Sequence, residues 1–342
     1  MDFSIFKKQA FWMAAGLTFV CSILGTLLAK LPYLSLIGAL VLSLLLGMAC
    51  QVAPQAVQKS SSGIAFISNK FLRLGIILLG FKLNLIDLAQ AGVKTILLAC
   101  VIVTCMISVT YWLCRKFGAE PELAILTAGG CGICGAAAVM GISPQIETPG
   151  NDEERKRENE VLAVAVVCVM GTVFTLIEIL LKPLLHLDAS QFGVVAGGSL
   201  HEIAHAVAAG GAGGAESLNW ALIMKLSRVL LLAPTALVVG IWYQKHIVKN
   251  ASNSGKKKLP FPWFMVGFLL TSILGTFIPF LKEAVPSLVQ IAYIFLGMAM
   301  AALGMSVNFK VIGQRGKGVF AAAFITSVGL LVFCIIVSKL FF

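Results

Sequence analysis

Charged residues are scarce in this chain, at 12% of its 342 residues. A soluble globular protein carries about 25% charged residues. The chain is also 59% hydrophobic, which is more apolar side chain than one or two soluble cores can enclose. The shortage of charge therefore excludes an ordinary soluble enzyme or binding domain, and it indicates a polytopic helical membrane protein.

The sequence also lacks the short alternating segments of a transmembrane β-barrel. Its apolar runs are continuous over about 20 residues, the length of one helical span. The formal net charge is +11, but most Lys and Arg residues lie between the apolar runs, as they do in cytoplasmic loops. We therefore expect the lipid bilayer, and no nucleic acid, as a partner of this chain.

Cysteine gives no sign of a disulfide framework. The chain has nine Cys, an odd number, and Cys inside apolar runs behaves as a small buried hydrophobic residue. The Cys residues in such runs are Cys21, Cys50, Cys100, Cys105, Cys168 and Cys334. The lone C-x-x-C of Cys131 and Cys134 supplies two ligands where zinc requires four. We expect no metal and no cofactor.

Eleven apolar windows are long enough to cross a bilayer as helices. They are 10–29, 34–53, 64–86, 93–114, 122–142, 161–182, 190–211, 218–243, 262–281, 287–307 and 318–340. We therefore predict an all-α polytopic membrane protein of about 11 transmembrane helices, forming one integral membrane domain over residues 1–342. Lys and Arg counts in alternating loops favour a cytoplasmic N-terminus, with Arg115 and Arg315 inside and Arg155 outside.

A weak internal repeat suggests an inverted-repeat fold. Segments 74–94 and 296–318, aligned on Gly80 and Gly304, both read G-x-x-(L/V)-N-(L/F). They fall in spans three and ten and would run antiparallel, as inverted repeats do. The two glycine-interrupted spans are the fifth and seventh and would run parallel. Either span ten is the partner of span five, or 190–211 is a re-entrant hairpin.

The first interrupted span, 122–142, contains GGCGICGAAAV at 129–139. Each Gly costs a helix about 1 kcal/mol relative to Ala, so this run predicts a helix break. Exposed N–H groups and a positive helix end there would suit an anion; tight helix packing through small residues is the alternative. The residues assigned to anion binding are Gly130, Cys131, Gly132, Ile133, Cys134 and Gly135.

The second interrupted span, 190–211, contains GGSLHEIAHAVAAGG. Ionisable residues inside a span are costly and by default mark a pathway or a proton relay. We assign anion binding to Gly198, Ser199 and Leu200, and proton coupling to His201, Glu202 and His205. The motif also reads H-E-x-x-H, a zinc hydrolase pattern, but a third ligand is lacking because Asp188 and Glu216 lie in loops. Capping of the broken helix is a further alternative.

Two cations follow in the next span. Lys225 and Arg228 are three residues apart on one helical face and would supply countercharge to an anion or to Glu202; snorkelling to the interface is the alternative. Glu178 and Lys182, four apart, are expected to pair. In NDEERKRENE at 151–160, Asn151 or Asp152 is expected to cap a helix.

Taken in order, these motifs resemble the YeiH-like family of bacterial inner-membrane proteins, which are classed as sulfate exporters. The resemblance covers about residues 64–310. It rests on Ile133–Val139, His201-Glu202 with Val207–Gly210, Lys225 with Arg228 and Pro234, Pro262–Phe264 and Met298–Gly304. It implies a fold related to bile-acid-type transporters, with inverted repeats and crossing broken helices. The family often has Gln at the position of His205, which argues against zinc, and Cys131 and Gly132 depart from its usual small hydroxyl residues.

We therefore predict a secondary transporter, not an enzyme, that exports a small inorganic anion, sulfate-like or sulfite-like, with proton coupling. It would be a multi-pass protein of the bacterial inner (plasma) membrane. Its partners would be the anionic substrate and the bilayer, and a homodimer is compatible with the sequence. The alternatives are an intramembrane zinc metalloprotease built on His201, Glu202 and His205, and a membrane protein without transport turnover.

Overall fold

The computed structural model describes residues 9–31, 34, 39–52, 54–82, 85–86, 92–146, 153–248, 263–278, 283–306 and 309–342. Within these ranges every regular element is helical. The α-helices are α1 Gln9–Leu28, α2 Ala39–Ala49, α3 Pro54–Lys59, α4 Ser61–Leu79, α5 Gly92–Lys116, α6 Pro121–Gly132, α7 Ala136–Ile142, α8 Glu153–Leu185, α9 Ala189–Ser199, α10 Ile203–Ala212, α11 Ala215–Leu230, α12 Leu232–Tyr243, α13 Trp263–Phe277, α14 Val285–Met305 and α15 Phe309–Phe341. Single 3-10 turns occupy Cys50–Val52, Gly80–Lys82 and Ser143–Gln145, and a π-helical turn occupies Gln244–Val248.

Seven helical stretches in the described residues are long and apolar enough to cross a membrane. They are Gln9–Leu28, Ser61–Lys82, Gly92–Lys116, Glu154–Leu185, Ala215–Ile247, Val285–Met305 and Arg315–Phe341. The polytopic, all-helical class is thereby supported, whereas 11 spanning helices are not shown. The other four predicted windows are interrupted, at 122–142 and 190–211, or are shorter helices, at Leu42–Val52 and Val266–Phe277.

The chain divides into two compact units, and the first comprises residues 1–86 and 263–307. Its centre is α14, which packs against α4, α2 and α1. Small residues permit these close approaches: a Cβ on Gly47 would lie 2.8 Å from the carbonyl carbon of Ala301, and one on Gly75 would lie 3.1 Å from the oxygen of Ala292. This is the small-residue packing typical of membrane helices.

Helices α4 and α14 carry the predicted repeat, and they run antiparallel to each other. The ring of Phe71 contacts that of Phe295 at 5.1 Å, and Gly75, further along α4, meets the earlier Ala292. Their direction agrees with the predicted orientation of spans three and ten. The repeat itself stays a prediction, because the Asn residues of its pattern, Asn84 and Asn308, lie outside the described residues. Pro262, Asn151 and Asp152 also lie outside them.

The second unit comprises residues 87–262 and 308–342 and contains both interrupted segments. Helix α8 of this unit packs against α6, α15, α10 and α7. Helix α11 packs against α9 and α10. Buried polar and charged side chains cluster in this unit, among them Glu178, His201, Glu202, Lys225 and Arg228.

Candidate functional site

The first predicted helix break is confirmed at Ile133–Gly135. Helix α6 ends at Gly132 and α7 begins at Ala136, and the chain reverses through a turn. Gly135 has φ +71, a conformation that glycine adopts without steric cost. Both ends of this segment return to the start of α8, because Arg155 binds Glu120 at one end and Lys156 binds the carbonyl of Ile146 at the other. The segment is therefore a re-entrant hairpin.

The second predicted break is confirmed at Leu200–Glu202, where extended backbone separates α9 from α10. Its two ends also lie together. Lys182, at the end of α8, donates to the carbonyl of Ala212 in α10, and its ammonium group lies over the ring of Phe192 in α9. This segment is the re-entrant hairpin that the parity of the spans allowed. The two hairpins open at opposite ends of α8.

This arrangement corrects the predicted alternation of loops. Arg155 was placed on the side of the membrane opposite to Arg315, yet both arginines bind the carboxylate of Glu120. The alternation fails because neither 122–142 nor 190–211 crosses from one side to the other. Arg155, which lies between the two hairpins along the chain, therefore changes sides, whereas Arg315, which follows both, does not. The cytoplasmic location of the N-terminus stays a prediction.

Arg228 joins the tips of the two hairpins. Its side chain is fully buried. Nη2 donates to the carbonyls of Cys131 (3.0 Å) and Gly132 (2.8 Å) at the end of α6. Nη1 donates to the carbonyls of Gly198 (2.6 Å) and Leu200 (3.1 Å) at the end of α9. A cation is favourable at helix C-termini, whose last carbonyls lack partners within the helix, so one guanidinium stabilises both ends.

Lys225, one turn before Arg228 on α11, completes this bridge. Its Nζ donates to the carbonyls of Ile133 (2.9 Å), Leu200 (2.7 Å) and His201 (2.6 Å), which uses all three ammonium protons. Both cations are 0% exposed, so neither snorkels. The structure thus gives them backbone partners that were not predicted, and their direct contact with an anion stays a prediction.

Neither buried cation has an acidic partner within the described residues. The ion pairs found there, within 4.0 Å, all involve Glu120 or Glu158 rather than these two side chains. Two positive charges thus lie at the meeting point of the hairpin tips. Their hydrogen-bond partners are backbone carbonyls, and Glu202 and Glu178 interact with Lys225 electrostatically without forming an ion pair.

The predicted proton-coupling residues lie around the same point. Glu202 Oε1 is 3.4 Å from the N–H of Ala136, at the start of α7, and 3.5 Å from the thiol of Cys168. The ring of His205 lies 3.4 Å from the hydroxyl of Thr172. All three predicted residues are buried, and Cys168 lies near the middle of α8. The hairpin tips therefore meet roughly half way along that helix.

His201 points elsewhere. Its Nε2 lies 3.0 Å from the hydroxyl of Ser327 on α15, a residue that the sequence did not single out. Because His201 precedes α10 and His205 lies within it, the H-E-x-x-H pattern is not presented on one continuous helix as a zinc hydrolase requires. Asp188, considered as a third ligand, caps α9 instead by accepting from the N–H of Gln191.

Glu178 is the site residue that sequence reasoning assigned to the wrong partner. Its Oε1 lies 2.5 Å from the hydroxyl of Ser199, while Lys182 binds Ala212. The predicted Glu178–Lys182 pair is therefore not formed. Ser199, predicted to bind the anion, is held by Glu178 and by the carbonyl of Val195. Cys168 and Thr172, four residues apart on one face of α8, were the available signal for that side of the site.

Polar atoms without partners mark the second hairpin tip. Four side-chain atoms near it have no hydrogen-bond partner in the described part of the chain, namely His201 Nδ1, Glu202 Oε2, His205 Nδ1 and Glu178 Oε2. Buried polar atoms are rarely left unpaired unless water, an ion or a ligand serves them. This concentration identifies the tip as the candidate site.

A groove of about 560 Å³ lies apart from these residues. It runs along α5 and α12, with Tyr111 and Trp242 among its mainly apolar lining residues. None of the predicted site residues lines it, so it is not the predicted site.

Two re-entrant hairpins buried in a bundle of apolar helices define the class, a polytopic helical membrane protein that encloses polar main chain at depth. The chain belongs to the family described as Conserved hypothetical protein 698, whose model matches residues 15–323. It is similar to a UPF0324 membrane protein of Lactobacillus johnsonii, 66% identical over 343 residues and covering 99% of both chains.

Further relatives carry the same description. A UPF0324 membrane protein of Bifidobacterium longum is 49% identical over 335 residues, covering 95% of this chain and 94% of the relative. One of Bacillus cereus is 41% identical over 323 residues, covering 94% and 89%. No solved structure gives a significant match. The comparisons establish a membrane protein family and leave its substrate to be inferred from the site.

Proposed function

We propose that this protein is a secondary transporter of the bacterial plasma membrane that exports a small inorganic anion in a proton-coupled cycle. The observation that carries the proposal is the pair of buried cations, Lys225 and Arg228, at the meeting point of two broken helices. Discontinuous helices that meet at mid-depth are the usual framework of transporter sites. The sulfate-like or sulfite-like identity of the anion rests on the resemblance to the YeiH-like family.

The two cations favour an anion over a cation or a neutral solute. Moving a charge out of water costs several kcal/mol unless a counter-charge compensates it. Backbone carbonyls satisfy the N–H groups of both side chains but neutralise neither charge. An oxyanion at the hairpin tips would supply the missing negative charge, and its release would restore the unfavourable state. This favours anion binding, and the carbonyls that still bind both cations after release make the binding reversible, as a carrier needs.

The start of α10 offers the direct contacts for this anion. The N–H groups of Ile133 and Gly135, in the first predicted binding segment, already donate to the carbonyls of Gly129 and Gly130. In the described structure no backbone carbonyl accepts from the N–H groups of 201–205. The first N–H groups of a helix lack partners within it and form its positive end. The anion would therefore bind mainly at residues 201–205.

Glu202 would couple the anion to a proton. Its carboxylate accepts from the N–H of Ala136 at the start of α7 and belongs to the segment proposed to bind the anion, so its negative charge would oppose an incoming anion. Protonation of Glu202 removes that repulsion, and a bound anion in turn favours the protonated carboxyl, because linkage between two ligands is reciprocal. His201 and His205, each with an unpaired ring nitrogen and within three residues of Glu202, would pass the proton.

Counterflow in proteoliposomes tests this function. Vesicles containing the purified protein and unlabelled sulfate should accumulate labelled sulfate from outside, saturably, with inhibition by sulfite and stimulation by an acidic exterior. Lys225→Met removes one buried charge and should reduce this uptake at least about tenfold, equivalent to 1.4 kcal/mol. Glu202→Gln should remove the pH dependence.

Lys182→Met is the matched control, because it removes the same charge at the opening of the second hairpin, where Lys182 binds a carbonyl. It should leave uptake unchanged. Absence of counterflow with every oxyanion tested, or equal uptake by Lys225→Met and wild type, contradicts the proposal. Labelled flux that does not saturate indicates a channel.

A further inference from the structure

Glu178 is a buried carboxyl group that the proposed cycle leaves unused. It lies ten residues beyond Cys168 on α8, roughly 15 Å along the helix at 1.5 Å per residue, toward the opening of the second hairpin. Its exposed fraction is 0%. We propose that Glu178 is a second proton-binding site, that it is protonated at neutral pH, and that its proton fixes Ser199 at the end of α9.

The hydrogen bonds of Glu178 fit the neutral acid. An ionised carboxylate offers about four acceptor positions, yet here Oε1 has one hydroxyl partner and Oε2 has none among the described residues. An ionised carboxylate buried with so few donors is strongly unfavourable, and such a group takes up a proton instead. The burial of Glu178 and its shortage of hydrogen-bond donors thus both favour the protonated carboxyl.

The ionisable groups around Glu178 do not replace the missing donors. Lys225 on α11 and Cys334 on α15 are the groups that interact with it electrostatically, and the Lys225 protons are already used by carbonyls. Arg228, one turn beyond Lys225, likewise donates to carbonyls. Five other ionisable groups on α8, α15 and the second hairpin have partners of their own. Lys182 binds Ala212, Glu202 binds Cys168 and Ala136, His201 lies at Ser327, His205 at Thr172, and Arg315 at Glu120 and Asn159.

Protonation completes a chain of donors. The proton on Oε1 would be donated to the oxygen of Ser199, 2.5 Å away, and the Ser199 hydroxyl would donate to the carbonyl of Val195 at 2.7 Å. When the proton leaves, the Ser199 hydroxyl must turn toward the carboxylate. The new negative charge would also attract Lys225, which holds Leu200 and His201 in place.

Loss of the Glu178 proton would therefore loosen the second hairpin tip. This consequence rests on the proposed transport function, because it links the proton to the segment that binds the anion. The protonation state itself does not depend on transport.

Infrared difference spectroscopy of the purified protein at neutral pH tests the protonation directly. We expect the carbonyl stretching band of a protonated carboxylic acid, shifted by deuterium exchange, in the wild type and its loss in Glu178→Gln. Glu202→Gln is the matched variant and should keep the Glu178 component. Identical spectra for wild type and Glu178→Gln overturn the proposal.

Ser199→Ala provides a second route if Glu178→Gln does not fold. Removal of the hydroxyl acceptor should move the Glu178 band to higher frequency without removing it, and an unchanged band position overturns the proposal. Because neither measurement uses a substrate, failure here leaves the counterflow experiment unaffected. Equally, absence of counterflow does not alter the spectra.

Discussion

Gly135 holds a backbone conformation that a side chain would disturb. Its φ of +71 is strained for residues with a Cβ, and a Cβ there would also press on the side chain of Glu202, 2.9 Å from Oε1. The residue therefore lets the first hairpin tip approach the carboxylate of the second.

Gly135→Ala should destabilise the protein by roughly 1–3 kcal/mol, the usual cost of one residue held in an unfavourable backbone region. The apparent melting temperature in detergent measures the effect. Gly329→Ala is the control, because Gly329 lies in helix α15 with open space around it and Ala favours a helix. Equal melting temperatures for Gly135→Ala and wild type would show that this turn tolerates a side chain.

The sequence identified the polar residues of the site better than it identified their partners. Ionisable residues in apolar spans could be recognised one by one, and His201, Glu202 and Lys225 do lie together. The carbonyl partners of Lys225 could not be predicted, because they depend on how α11 packs against two other segments. Glu178 was paired with Lys182 because the spacing rule considers one helix only, whereas its partner, Ser199, comes from α9.

Both helix breaks could be predicted because glycine runs interrupt apolar windows at 129–135 and 197–198. The hairpin form could not be deduced, since hydropathy measures the length of an apolar run and not whether the run reverses. Helix starts are set by more local signals. Asp188 caps α9 in a reciprocal capping box with Gln191, at an N···O distance of 2.8 Å.

Asp188→Ala should reduce the free energy of unfolding by about 1 kcal/mol, the usual cost of losing a helix cap. The apparent melting temperature should fall accordingly. The Gln191 N–H and the Ser190 hydroxyl stabilise the carboxylate and lower the pKa of Asp188. Its stabilisation is therefore complete above the unfolded pKa of about 3.9 and is lost as the pH falls through the lower folded value. Thermal unfolding at neutral and acidic pH measures both effects.

Asp188→Asn is the control for this experiment, because Asn keeps a capping oxygen but carries no charge. Its stability should stay close to that of the wild type at neutral pH and lose the acid dependence. If Asp188→Ala and wild type unfold alike at neutral pH, the capping box does not contribute to stability.

Across the second unit, one polar cluster joins three distant parts of the chain. Arg315 at the start of α15 contacts Glu120, before α6, at 3.0 Å and Asn159 of α8 at 2.7 Å. Arg155 adds a second contact to Glu120 at 2.5 Å. Burial opposes ionisation of Glu120, but Arg155 and Arg315 outweigh it and lower the pKa of this carboxyl.

Arg315→Gln should destabilise the protein by up to about 1 kcal/mol, because ion pairs that water reaches contribute little, and Arg315 and Glu120 are partly exposed. The apparent melting temperature should therefore fall modestly. The difference from wild type should shrink at high salt, which screens these charges. It should also shrink as the pH falls through the lowered pKa of Glu120, below the ordinary value of about 4.3. Lys339→Gln, at the other end of α15, is the control. A difference that is independent of salt would contradict an electrostatic role.

Because Lys225 and Arg228 belong to a single helix and hold both hairpin tips, the tips are mechanically linked. A tilt or axial shift of α11 would displace the bound carbonyls of both hairpin tips at the same time. An alternating-access cycle built on this unit would therefore move both hairpin tips together. Neither tip could shift while the other stays still.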